Sequence, residues 1–223
     1  MTHTVIPDEE LAVFQYLDIS GVVVDVGARE DIDMYKLRPD LEYHLFEPST
    51  EFFEKLKEKT EGTPIKINNY GLAHEPFSRK YNIKQQSFLN YEGDGYDQEL
   101  KTLDWYCKEN GIEAIDFLKI DTEGYDYRVL AGAEDILENT KYIQFEYWDG
   151  LKKFYDALKV PFYMFLMMEP ILREEVFRGF QNQEDIVTIF SETLIPVEDW
   201  VVEVVDKALI PGGFGGNVLC IKK

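Results

Sequence analysis

Short apolar runs alternate with amphipathic stretches along this chain. VVVDV (22–26), LEYHLF (41–46), PIKIN (64–68), FLKID (117–121) and YIQFEY (142–147) are rich in β-branched and aromatic residues and read as strands. Helical spacing of apolar positions falls between them, around 31–38, 50–60, 97–110 and 125–139. Strand then helix, repeated, predicts an α/β fold with a parallel sheet covered on both faces. FSRKYNIKQQSFL (77–89) breaks the rhythm, and its alternation predicts a short hairpin inserted before the helix that leads to the fourth strand. FYMFLMM (162–168) predicts a further buried strand and NVLCI (217–221) another. The stretch between them, 169–216, carries a candidate strand at 186–190 and a candidate helix at 197–207, and as a late insertion it is a candidate lid or subunit contact. PGGFGG (211–216) leads into a strand and not a helix, so it reads as a turn and not a phosphate loop. The whole of 1–223 is expected to form one domain, opened by a helical segment over about 1–19.

Charge narrows the partners. The formal net charge is -20, a surface that repels phosphate backbones and anionic headgroups, so neither nucleic acid nor membrane is the expected partner. A small molecule, neutral or cationic, is compatible with it. No apolar stretch is long enough to span a bilayer, and the start lacks a basic region followed by an apolar run, so the expectation is a soluble protein kept in the cytoplasm. Cys107 and Cys220 have no CxxC or Cys/His spacing, and His3, His44 and His74 are dispersed; neither type forms a metal motif. Oligomeric state is left open, a homo-oligomer included.

In a doubly wound sheet the ligand sits beyond the carboxyl ends of the strands, where strand order reverses. The first strand runs into Asp25, Gly27 and Ala28, a glycine turn with an acid before it. Arg29, Glu30, Asp31, Ile32 and Asp33 follow, without the later glycines of GxGxxG. Three carboxylates in that turn would repel a pyrophosphate, which disfavours NAD or FAD and the oxidoreductase reading that goes with them. S-adenosylmethionine has no phosphate and carries a sulfonium and an ammonium, so it suits an acidic turn. The second strand ends in Phe46, Glu47 and Pro48; Glu47 lies 22 residues after Asp25, the spacing at which an acid meets ribose hydroxyls.

VVVDVGA, then LFEP, and above all IDFLKIDTEGYDYRVLAGAEDIL followed by YIQFEY, resemble the FkbM family of S-adenosylmethionine-dependent methyltransferases. The resemblance covers roughly residues 20–148, with an echo in NVLCIKK. It implies a class I methyltransferase (Rossmann-like) fold whose seven-stranded, mostly parallel sheet carries helices on both faces and ends in an antiparallel hairpin. It also implies O-methylation of sugars, polyketides or related acceptors. The cofactor residues it carries over are Asp25 and Gly27 in the first turn, Glu47 at the ribose, Asn69, Gly71 and Leu72 near the adenine, and Ser87. One departure stands out: the family has an asparagine and a second glycine after GA, where this chain has Arg29, Glu30 and Asp31.

Period two along 117–121 puts Lys119 and Asp121 on one face, with Asp121 at the strand end. An acceptor hydroxyl is a poor nucleophile until a base takes its proton or a metal lowers its pKa. Asp121 is the first candidate for that contact and Glu123 the second; Glu123 also fits as the N-terminal cap of the helix that follows. Together with Glu146 the two could hold Mg²⁺ or Mn²⁺ through oxygen ligands, although no pattern here requires a metal. His74 is a further candidate base, and Lys119 an ion-pair partner for the acids. Tyr125, Tyr147 and Trp148, just past strand ends, are candidates to pack on a sugar ring or else rim packing of the core. The expected function is methyl transfer to a hydroxyl, most simply of a sugar or glycan. The alternative from another class is a methyltransferase-like binding module without catalysis, motivated by the departure at 29–31.

Overall fold

The computed structural model describes residues 9–15, 17–84, 88, 94–148, 150–167, 194–208 and 216–223. The central sheet is built from β1 (Val22–Val26), β2 (Glu42–Phe46), β3 (Lys66–Asn68), β7 (Ile115–Ile120), β8 (Thr140–Tyr147), β9 (Phe162–Met167), β10 (Leu194–Pro196) and β11 (Gly216–Lys222), in the order β10-β9-β11-β8-β7-β1-β2-β3. A second sheet of β4 (Gly71–Leu72), β5 (Phe77–Asn82) and β6 (Gly95–Lys101) runs in the order β4-β6-β5. The helices are α1 (Glu9–Phe14), α2 (Asp33–Leu37), α3 (Thr50–Thr60), α4 (Leu103–Asn110), α5 (Asp126–Leu130), α6 (Glu134–Leu137), α7 (Lys152–Leu158) and α8 (Asp199–Ala208).

β1 pairs in parallel with both β2 and β7, and β7 with β8. β11 runs antiparallel between β8 and β9. This is the class I methyltransferase arrangement, with eight strands where seven are expected, because β10 adds an antiparallel edge beyond β9. The chain leaves β1 toward β2 and β3 and returns on the other side as β7, so strand order reverses between β1 and β7. No described helix is long and apolar enough to cross a membrane.

Burial on both sheet faces explains the continuous apolar runs. Val24, Val26, Phe46, Leu118, Ile120 and Phe145 enter one core cluster, while Val23, Tyr43, Leu45, Phe117 and Tyr142 enter a second on the opposite face. Caps set the helix ends: Ser49 and Thr102 accept from the N–H groups of Phe52 and Trp105, and Gly111 closes α4 in the left-handed region at φ 67°.

Two predicted helices are corrected. The stretch 97–110 divides into β6 and α4, because Tyr96, Gln98 and Leu100 alternate inward while β6 pairs antiparallel with β5. The expected hairpin within 77–89 therefore has its first strand in place as β5, but its partner is β6. The stretch 125–139 breaks into α5 and α6 at Gly132, where a Cβ would come within 2.0 Å of the Ala73 carbonyl oxygen and only a glycine lets the backbones touch. The candidate strand at 186–190 lies outside the described residues, and the candidate helix at 197–207 is α8.

Candidate functional site

The carboxyl ends of β1, β2 and β7 meet at one pocket, lined by Val26, Gly27, Arg29, Phe46, Glu47, Pro48, Phe52, Gly71, Leu72, Tyr81, Phe88, Asp121, Thr122, Glu123 and Tyr125. Backbone contacts draw the strand ends together. Gly27 and Ala28 donate to the Phe46 carbonyl at 2.9 and 3.1 Å, and Asp121 donates to the Val26 carbonyl at 2.9 Å. Gly27 sits at φ 97°, and a Cβ there would lie 1.9 Å from the Asp121 carbonyl oxygen, so β1 and β7 approach closely only because the residue is glycine.

Glu47 forms the acidic wall. It is 2% exposed, and its carboxylate accepts from the N–H groups of Ser49 at 2.6 Å and Arg29 at 2.8 Å. Burial pushes its carboxyl up to about 7 against the opposing pull of those two amides. Asn69 lies behind this wall: its amide donates to the carbonyls of Glu47 and Pro48, so it shapes the loop and is not itself a lining residue. Gly71 gives room for the Phe88 ring, which a Cβ would meet at 2.8 Å. Tyr81, Phe88 and Tyr125 pack into one apolar cluster. Tyr125 is 1% exposed, and its hydroxyl accepts from the Arg79 guanidinium at 3.1 Å. It therefore forms a wall of the pocket and not an exposed platform.

Across the pocket stand Asp121, Thr122 and Glu123. The Lys119 ammonium lies 3.3 Å from the Asp121 carboxylate and 4.0 Å from that of Asp25. Glu123 adopts φ 54°, a left-handed conformation that a non-glycine residue holds at a cost. Burial, and then the neighbouring Asp121 charge, raise its pKa. Glu123 does not cap the helix, since α5 begins after Tyr125 without a side-chain cap. Asp126 is fully buried and ties the two strand ends, accepting from the Thr122 hydroxyl at 2.7 Å and the Glu146 N–H at 3.1 Å. Burial lifts it to about 6. Glu146 continues the β7–β8 register one step past Ile120 and Phe145, which sets it beside Asp121. It accepts from the exposed Trp148 indole at 2.8 Å and is pushed to about 7, first by burial and then by Asp121.

Several expected site residues lie elsewhere. Asp25 points to the opposite face of the sheet, because β1 alternates and Val26 takes the pocket side, and Ala28, past the strand end, packs into the cluster on that face. There they line a separate polar cavity with Lys119 and Gln144. His74 is outside the pocket, with its Nε2 3.2 Å from Glu75. Tyr147 is fully buried in the main core cluster and cannot present its ring to an acceptor. Among the described residues no group of three acids, histidines or cysteines is disposed to hold a metal ion, so Asp121, Glu123 and Glu146 do not form the candidate cation site. Ser87 lies outside the described residues.

Sequence reasoning missed Phe52, Tyr81, Phe88 and Thr122, and treated Arg29 only as a departure from a motif. Phe52 and Tyr81 were legible only as core-type residues, since the contacts that place them join α3 and β5 to strand ends distant in sequence.

A profile of the Methyltransferase FkbM domain matches residues 25–178. The 2-O-methyltransferase NoeI of Sinorhizobium fredii (strain NBRC 101917 / NGR234) is 23% identical over 158 residues, 57% of this chain and 63% of that protein. The matched stretch therefore spans less than two thirds of that curated relative. Among solved structures, an rRNA methylase from Streptococcus thermophilus overlaps with a TM-score of 0.48 at 13% identity, covering 96% of this chain and 93% of the other. The plantazolicin methyltransferase BpumL in complex with SAH overlaps with a TM-score of 0.45 at 10% identity, covering 96% and 82%.

Proposed function

The chain belongs to the FkbM methyltransferase family, and from that premise we propose that it moves a methyl group from S-adenosylmethionine to a hydroxyl of a sugar or glycan. The observation that carries the cofactor is the Glu47 wall: a buried carboxylate, aimed by two backbone amides, at the edge of an apolar slot closed by Phe46, Leu72, Tyr81 and Phe88. That slot suits an adenine and the carboxylate suits ribose hydroxyls. The pocket's other acids, Asp121 and Glu123, suit a ligand bearing cationic groups and would oppose a pyrophosphate. The O-directed reading is supported by the 2-O-methyltransferase relative, and the sugar acceptor by the family resemblance.

Bound there, the cofactor supplies an electrophilic methyl carbon. The acceptor hydroxyl must lose its proton as its oxygen attacks, and Asp121, at the crossover edge beside Gly27, is the base assigned to it. The Lys119 ammonium, 3.3 Å away, holds the Asp121 carboxylate in place. Glu146, lifted to about 7, is a neighbouring group able to relay that proton near neutrality, and Glu123, raised by burial, stands next to it. The net charge supports a small-molecule acceptor over nucleic acid.

The test combines calorimetric titration with S-adenosylmethionine and incubation of the protein with the labelled compound, a panel of sugars, nucleotide sugars and glycans, with and without EDTA. Saturable binding and transfer to a hydroxyl are the expected results. Absence of binding at millimolar concentration would instead support a binding module that has lost catalysis.

A further inference from the structure

Arg29 stands two residues past Gly27 at φ 51°, in the left-handed region. A residue with a Cβ holds that conformation at a cost, and it persists only where the surroundings impose it. Here the Arg29 N–H is bound by Glu47, and the turn is closed by Asp31 donating to the Ala28 carbonyl at 2.9 Å. This backbone carries the side chain over the pocket. The guanidinium carbon lies 5.0 Å from the centre of the Phe52 ring, and both residues line the wall. Stacking occupies the face of a guanidinium and leaves its edge of N–H donors available.

Arg29 lines the pocket as a cation, and its charge acts on the Glu47 and Glu123 carboxyls, lowering both against the effect of burial. The other charged residues that line the pocket are the acids Glu47, Asp121 and Glu123. Lys119, on β7, is already engaged by Asp121 and Asp25. The proposed cofactor carries one carboxylate beside its two cationic groups, and acidic walls would repel it. We infer that Arg29 binds that carboxylate, holding the amino-acid end of the cofactor by charge-assisted hydrogen bonds from its stacked guanidinium. The replacement of the family's asparagine and glycine after GA is then a change in how the cofactor is gripped. This inference rests on the proposed cofactor.

The experiment compares two probes by calorimetry. S-adenosylhomocysteine has the amino-acid chain; 5′-methylthioadenosine has the same nucleoside and sulfur but only a methyl group in its place. Arg29→Gln should weaken S-adenosylhomocysteine about tenfold to a hundredfold, the worth of hydrogen bonds to a charged group, and leave methylthioadenosine unchanged. Arg29→Gly, which also removes the guanidinium but relaxes the backbone, should melt no lower than the parent and show the same selective loss. Parent-like binding of S-adenosylhomocysteine by either variant would overturn the assignment. So would an equal loss on both probes, which would set Arg29 against the nucleoside. A parent protein that binds neither probe would instead remove the cofactor reading itself, so the two failures are distinguishable.

Discussion

Glu47 shows how much a single residue's surroundings decide. Its spacing from Asp25 makes it a ribose candidate, but its burial and its two amide donors are what turn a loop carboxylate into a fixed wall. Glu47→Ala should weaken S-adenosylhomocysteine by about 1.5–3 kcal/mol, roughly tenfold to a hundredfold by titration calorimetry; unchanged affinity in a folded variant would remove it from the site. Asp121 is assigned to the reacting hydroxyl, and Asp121→Asn keeps the size but cannot take a proton. Turnover should fall on the order of 10²–10⁴-fold with cofactor affinity nearly intact, as steady-state kinetics set against binding would show. Near-parent kcat in that variant would shift the role to Glu123 or Glu146.

At the scale of elements, the site depends on how closely strand ends can approach. The Cβ of Gly27→Ala would meet the Asp121 carbonyl, at a φ that alanine resists, so unfolding free energy should drop by about 2–4 kcal/mol in denaturant melts. The boundary between β6 and α4 is set by Thr102, whose hydroxyl accepts from the Trp105 N–H at 3.1 Å. Thr102→Ala should cost about 1 kcal/mol by the same measurement. A continuous helix over 97–110 would instead gain from that alanine. The two outcomes therefore report which structure the stretch adopts.

The whole molecule carries its excess of acids both outside and inside. Burial lifts Glu47 and Glu146 from 4.5 to about 7 and Asp126 from 3.8 to about 6. Between the unfolded and folded values the native state binds more protons than the unfolded chain, so these groups contribute stability at low pH that is lost as pH rises through about 7. The surface charge of -20 acts in the same direction, since ionising more carboxylates adds repulsion. Thermal melts at low salt should show Tm falling from about pH 5 to about pH 8. Glu47→Gln should flatten part of that slope. A Tm that stays flat across the range would mean these acids titrate in the fold as they do in the unfolded chain.

The sequence by itself determined the alternation of strands and helices, the parallel sheet, the family, and the places where chemistry belongs: the ends of β1, β2 and β7. Those features follow from local patterns, since burial on both faces writes continuous apolar runs and a glycine turn marks a strand end. The tertiary structure alone decided which side of the sheet each acid serves. Asp25 and Asp121 are both strand-end carboxylates in sequence, yet alternation along β1 sends Asp25 beneath the sheet, while the step past Ile120 brings Asp121 to the pocket. It also buried Tyr147, left His74 outside, paired β5 with a strand thirteen residues on, and brought Arg29 against Phe52 and Glu47. These are contacts between residues distant in the chain, and no local pattern encodes them, because they depend on how separate elements pack against one another.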